Sequence, residues 1–156
     1  IGASDTLIIP LSVTSETAHN FPSGTSFNRE AWVEIQVSNN ENVIYSSGLV
    51  ENSESLDYSN DNLLFFKSFL YDEDNNLTNN VTQVDSIANY SLLPYQSRYK
   101  YYTISLPEEL EGELLVTARL LFRSFSPNFI LQHHPEFIEN LPIFTVDSIS
   151  QTITIE

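Results

Sequence analysis

Cysteine and methionine are absent from the sequence, and only four glycines and six basic residues occur among its 156. Without cysteine there are no disulfides, and no c-type haem attached covalently to this chain, because that attachment needs C-x-x-C-H. No covalent staple is required at this length, since a domain of about this size buries roughly two-thirds of its unfolded surface. Six Lys plus Arg against 21 Asp plus Glu leave a net charge of −15. Such a surface repels nucleic acid and anionic membrane and attracts cations. No apolar run is long enough for a membrane-spanning helix. There is no Gly-x-Ser-x-Gly elbow, and nothing singles out a catalytic pair among the 21 acids. The expectation is a protein that is not an enzyme.

What is present is alternation with period two. From Arg29 to Val37, Ala31, Val33, Ile35 and Val37 fall on one face, with Trp32, Glu34 and Gln36 on the other, which predicts a strand with one buried face. Before it, His19-Asn20-Phe21-Pro22-Ser23-Gly24 reads as a loop. Thr6 to Ser15 reads as a first strand, with Leu7, Ile9, Leu11 and Val13 on one face and Pro10 marking a sheet edge. Asn39–Asn42 is a turn and Val43–Ser47 the return strand of a hairpin.

Glu51–Asn62 is a polar loop, and Leu63–Tyr71 is apolar on both faces, read as a strand over a short helix. Asp72–Asn76 is a turn, and Leu77–Tyr95 is irregular, with a strand near Val81–Val84. Tyr99–Leu106 is a strand, followed by an acidic loop that turns at Gly112. Leu114–Arg123 points Leu114, Val116, Ala118, Leu120 and Phe122 inward and Thr117, Arg119 and Arg123 outward. Ser126–Pro142 is loop with a short helix around Glu136–Asn140; Ile143–Val146 and an amphipathic Ile149–Glu156 close the chain. About eight strands with no βαβ rhythm predict a single all-β domain over residues 1–156. It should be an antiparallel two-layer β-sandwich, immunoglobulin-like or jelly-roll.

Candidate sites are sparse. His133 and His134 are adjacent in a polar loop and lack a third ligand at zinc spacing. Asp72, Asp74 and Asn76 place oxygens at every second residue, as does the Asp57-Ser59-Asp61 run, so the first set is a candidate calcium loop. Outward apolar residues are interface candidates: Trp32, Leu115 and Leu121, together with Ile9 and Ile153 on edge-like terminal strands. The start at Ile1-Gly2-Ala3-Ser4 reads as a processed product or a piece of a longer chain. Few lysines, many Asn and Ser, and no Cys or Met fit an exported protein.

His19-Asn20-Phe21-Pro22-Ser23-Gly24, then Arg29-Glu30-Ala31-Trp32-Val33 and Ile44-Tyr45-Ser46-Ser47-Gly48, resemble "HNxPTG … R-x-x-W-x-x-V … G-x-V-x-x-SG". Val116-Thr117-Ala118-Arg119-Leu120-Leu121-Phe122-Arg123 and Leu141-Pro142-Ile143 resemble "V-x-A-x-L-x-Y/F-R" and "iP". These motifs, in this order, are similar to the haem-free C-terminal β-sandwich domain associated with bacterial multihaem c-type cytochromes. The resemblance implies an extracellular, cell-surface or periplasmic domain accompanying electron-transfer proteins. It would dock a haem module or copies of itself. His19 matches the family's histidine, a candidate axial ligand to a haem held by a partner or by a missing segment. The departure is the lack of any C-x-x-C-H motif. Two other functions are open: a filament subunit joined by strand addition, and a surface module binding calcium or carbohydrate.

Overall fold

The computed structural model describes residues 6–40, 42–108 and 110–155. The opening Ile1–Ser4, position 41 of the predicted turn, position 109 of the acidic loop and the Glu156 end of the last strand lie outside them. The strands are β1 (Thr6–Thr14), β2 (Glu30–Asn39), β3 (Asn42–Ser47), β4 (Leu64–Phe66), β5 (Ser68–Tyr71), β6 (Ser86–Asn89), β7 (Ser97–Ser105), β8 (Gly112–Arg123) and β9 (Phe144–Ile155). Among the described residues there are also one helix, α1 (Pro127–His133), and two 3-10 turns. All strand pairings are antiparallel. The protein is an all-β sandwich, as the alternation predicts.

β2 organises the main sheet. β8 runs along one of its edges from Glu30↔Arg123 to Asn39↔Leu114. The other edge is shared: β4 pairs Ala31–Val33, and β3 pairs Ile35–Asn39. β9 lies outside β8, giving the order β3-β2-β8-β9. β1 and β7 form a separate two-stranded ribbon, and β5 and β6 another. Leu7 and Ile9 of β1 and Tyr102 and Ile104 of β7 form one core with Ala31, Val33, Ile35, Val37, Leu114, Val116 and Ala118 of the main sheet. Each of the Val, Leu and Ile side chains among them, taken fully out of water, contributes about 1.5–3 kcal/mol.

The other face of β2 is also covered. Trp32 and Leu121 pack with Leu56 and Leu63 in a second cluster beneath the segment that links β3 to β4. β2 is therefore buried on both faces, where the sequence pattern implies one. Trp32 donates its indole N–H to the Gly48 carbonyl at 2.8 Å, which satisfies the one polar group on a fully buried ring.

Four local expectations are corrected. Val81–Gln83 is a 3-10 turn capped by the Asn80 side chain, and the strand lies later, at Ser86–Asn89. The helix sits at Pro127–His133, with Ser126 as its cap and Pro at its start, while Pro135–Asn140 is a 3-10 turn. Leu63–Tyr71 is broken at Lys67 into β4 and β5. The last two predicted strands are one, β9, and its face is not buried: of its twelve residues only Ile153 and Ile155 are shielded from solvent.

Candidate functional site

The His19 loop is held from three sides. Phe21 exchanges backbone hydrogen bonds with Leu92, both at 2.8 Å. The Arg29 guanidinium donates to the Ser23 carbonyl at 2.6 Å, and Gly24 supplies the positive φ of +70° that the turn requires. The Thr17 hydroxyl donates to the His19 carbonyl at 2.8 Å. His19 itself is exposed, and its Nδ1 lies 3.0 Å from the Asn20 carbonyl. A carbonyl only accepts, so Nδ1 carries the proton. A neutral imidazole held this way has its lone pair on Nε2, the form in which imidazole ligates a metal.

The Asp72 turn is tied to itself. Asp72 Oδ1 accepts from the backbone N–H of Asp74 at 3.1 Å and of Asn76 at 2.8 Å, and Asn75 adopts φ +62°. This Asx-type closure sets the shape of the turn. Among the described residues no three His, Asp or Glu side chains converge as metal ligands. At Asp57, Ser59 donates both its hydroxyl and its backbone N–H to Oδ1, which holds the carboxyl below its usual range.

The five interface candidates separate. Trp32, Leu121 and Ile9 are core residues of the single chain, and Ile153 packs against the main core. Trp32 and Leu121 lie under the segment that links β3 to β4, and Ile9 faces the main sheet from the β1–β7 ribbon, coverage that the sequence does not reveal. Leu115 is exposed. His133 ends α1, with its ring centroid 4.6 Å from that of Phe129, and His134 lies 3.4 Å from the Glu136 carboxylate.

The charged centre of the molecule is not among the residues that the sequence pattern singles out. Glu30, the first residue of β2, is buried together with Arg123 and Lys67. Arg123 Nε donates to Glu30 Oε2 at 2.5 Å and Lys67 Nζ to Oε1 at 3.2 Å; the Tyr58 hydroxyl also donates to Oε1. Arg123 reaches on to the Glu54 carbonyl at 2.8 Å and stacks over Trp32 with 5.2 Å to the ring centroid. The Lys67 ammonium lies 5.9 Å from the Tyr58 ring centroid and 6.0 Å from that of Phe69, and Phe65 and Tyr90 complete the aromatic cluster by packing on these rings. A cleft of about 230 Å³ opens beside them, walled by Ser55, Leu56, Phe69 and Ser126.

Burial pushes the Lys67 ammonium down, against the pull of Glu30. Burial first, and then the Glu30 carboxylate, push the Tyr58 phenol up. Two cations and a phenol thus converge on one carboxylate, which ties the β4–β5 break, β2, β8 and the 49–62 segment into one unit. The sequence does carry a signal for it: a lysine inside Leu-Leu-Phe-Phe-Lys-Ser-Phe-Leu-Tyr.

The remaining cations are also engaged. Arg98 donates to the carbonyls of Phe65, Tyr90 and Ser91. Lys100 donates to the Asp61 carbonyl, and Arg119 to Glu34. With Arg29, this accounts for all six basic residues, so the outer surface is predominantly anionic.

No family model matches the chain, and no curated protein is similar to it in sequence. Its fold is similar to part of a solved structure, a penta-heme cytochrome c552 from Thermochromatium tepidum. The TM-score is 0.73 with 16% sequence identity, over 95% of this chain and 36% of that one. The likeness is one of fold, and the chain spans about a third of the cytochrome's length.

Proposed function

We propose that this is a non-catalytic docking domain of an exported multihaem cytochrome system, acting in electron transfer outside the cytoplasm by holding a haem module in place. The observation that supports it is the fold likeness, in which nearly the whole chain corresponds to about a third of a penta-heme cytochrome. Two features fit the same reading. The net charge of −15 suits a partner with a basic face, for which attraction speeds and orients encounter. His19 is exposed, and it contacts the Asn20 carbonyl through Nδ1 rather than Nε2, the nitrogen that would meet a partner's haem iron.

The test is isolation of this chain from its native source by gentle extraction, followed by haem staining of the chains that accompany it. A haem-bearing companion released by raised salt is expected, because an anionic-to-basic contact weakens as charges are screened. A haem-free assembly would overturn the proposal. If His19 reaches iron, His19→Ala changes the spin-state bands of that companion. An unchanged spectrum would remove the ligand role and leave docking standing.

A further inference from the structure

β9 is an open edge. It pairs with β8 on one side and, among the described residues, with nothing on the other. It is twelve residues long, carries one charged side chain, Asp147, and has no lysine or proline. Natural sheets protect exposed edges with charge, proline, bulges or shortness. Here only a register shift near Leu120 interrupts pairing, leaving Val146 unpaired and Asp147–Ile155 regular. Ile149 on this edge is 64% exposed, beside a groove that Leu11, Val13, Ala118 and Leu120 line.

We propose that β9 pairs antiparallel with β9 of a second copy, with the two-fold axis at Gln151. This register makes the strand self-complementary: Ile149 faces Ile153, Ser150 faces Thr152 and Ser148 faces Thr154. Ile149 and Ile153 share one face with Gln151 between them and the hydroxyls share the other, both favourable cross-strand combinations, and Asp147 stands opposite Ile155 at each end. An antiparallel pair of identical strands has its axis perpendicular to the sheet, so both copies keep their cores on the same side and β3-β2-β8-β9 continues into its mate.

Charge selects a second copy as the occupant. A chain of net −15 resists its own kind almost everywhere, but this edge is close to neutral. In the proposed register the two Asp147 carboxylates stand about 26 Å apart by strand rise, well beyond the screening length of about 8 Å at physiological salt. A basic peptide, the competing occupant, would find one carboxylate along the whole strand.

The pairing does not depend on the cytochrome reading, and its test uses the purified chain alone. Light scattering at about 100 μM chain, a concentration suited to a small interface, should give twice the chain mass. Because the chain has no cysteine, Gln151→Cys introduces a single thiol. At the two-fold axis the two Cα atoms would lie about 4.5–5.5 Å apart, within disulfide range. Gln151→Cys should therefore form a covalent dimer under mild oxidation, and Thr145→Cys should not. Ile149→Lys should give a monomer even though it lowers the net negative charge, which separates edge pairing from general repulsion. A wild-type monomer, together with a Gln151→Cys variant that fails to cross-link, overturns the proposal. So does a dimer that Ile149→Lys leaves intact.

Discussion

Glu30 and Arg123 stand directly opposite each other on β2 and β8, with 2.5 Å between Oε2 and Nε and both side chains almost wholly removed from solvent. Four residues along, Glu34 and Arg119 repeat the pairing at 2.7 Å, but the arginine there is about half exposed. The same chemistry at two depths makes a controlled comparison. Glu30→Gln strands two buried cations and should cost about 3–5 kcal/mol. Glu34→Gln should cost no more than about 1 kcal/mol. Urea denaturation measures both, and equal losses would contradict the role given to burial.

The pH dependence follows from Lys67 and the buried tyrosines. The folded state releases the Lys67 proton earlier than the unfolded chain does. Stability therefore rises with pH between the folded Lys67 value and the ordinary lysine value of about 10.4. Tyr58, Tyr102 and Tyr45 shift the other way, all mainly through burial. The folded state keeps their protons after the unfolded chain has lost them, so stability falls as pH rises past about 10. The tyrosines therefore lower stability above that pH, which denaturation at graded alkaline pH measures. Ultraviolet titration should show three tyrosines ionising later in the native protein than in urea; coincident curves would contradict the burial described.

Tyr102 lies within the main core with its hydroxyl buried and without a hydrogen-bond partner. An unpaired buried hydroxyl costs about 1–3 kcal/mol. Tyr102→Phe keeps the ring and removes that cost, so thermal unfolding should shift upward by the equivalent of about 1 kcal/mol.

Gly48 and Gly112 both have positive φ, at +72° and +95°, yet a side chain would be received differently. A Cβ on Gly48 would overlap the Val33 carbonyl oxygen and press on Trp32, whereas one on Gly112 meets nothing within 4 Å. Gly112→Ala should cost about 1 kcal/mol, from backbone conformation alone. Gly48→Ala should cost clearly more and disturb the single tryptophan, which its fluorescence reports.

The inward faces of β1, β2 and β8 are legible in the sequence because period two survives whenever one face meets the core. Trp32 and Arg123 are not, because their burial is produced by a loop some 20–70 residues away, and alternation says nothing about what covers the second face. The break at Lys67 is hidden by the apolar run around it, which hydropathy reads as one strand. β9 misleads in the opposite way. Its isoleucines alternate as a core strand's do, but the β1–β7 ribbon leaves Ile149 uncovered. The His19 loop is located correctly from Pro22 and Gly24; the Arg29 contact that fixes it emerges only from the coordinates.

The most direct measurement is the ratio of haem to this chain in the native assembly, from haem absorbance after denaturation against quantitative amino-acid analysis. A docking domain predicts a fixed, non-zero ratio that persists through successive purification steps. A ratio that falls to zero while the assembly stays intact would contradict it.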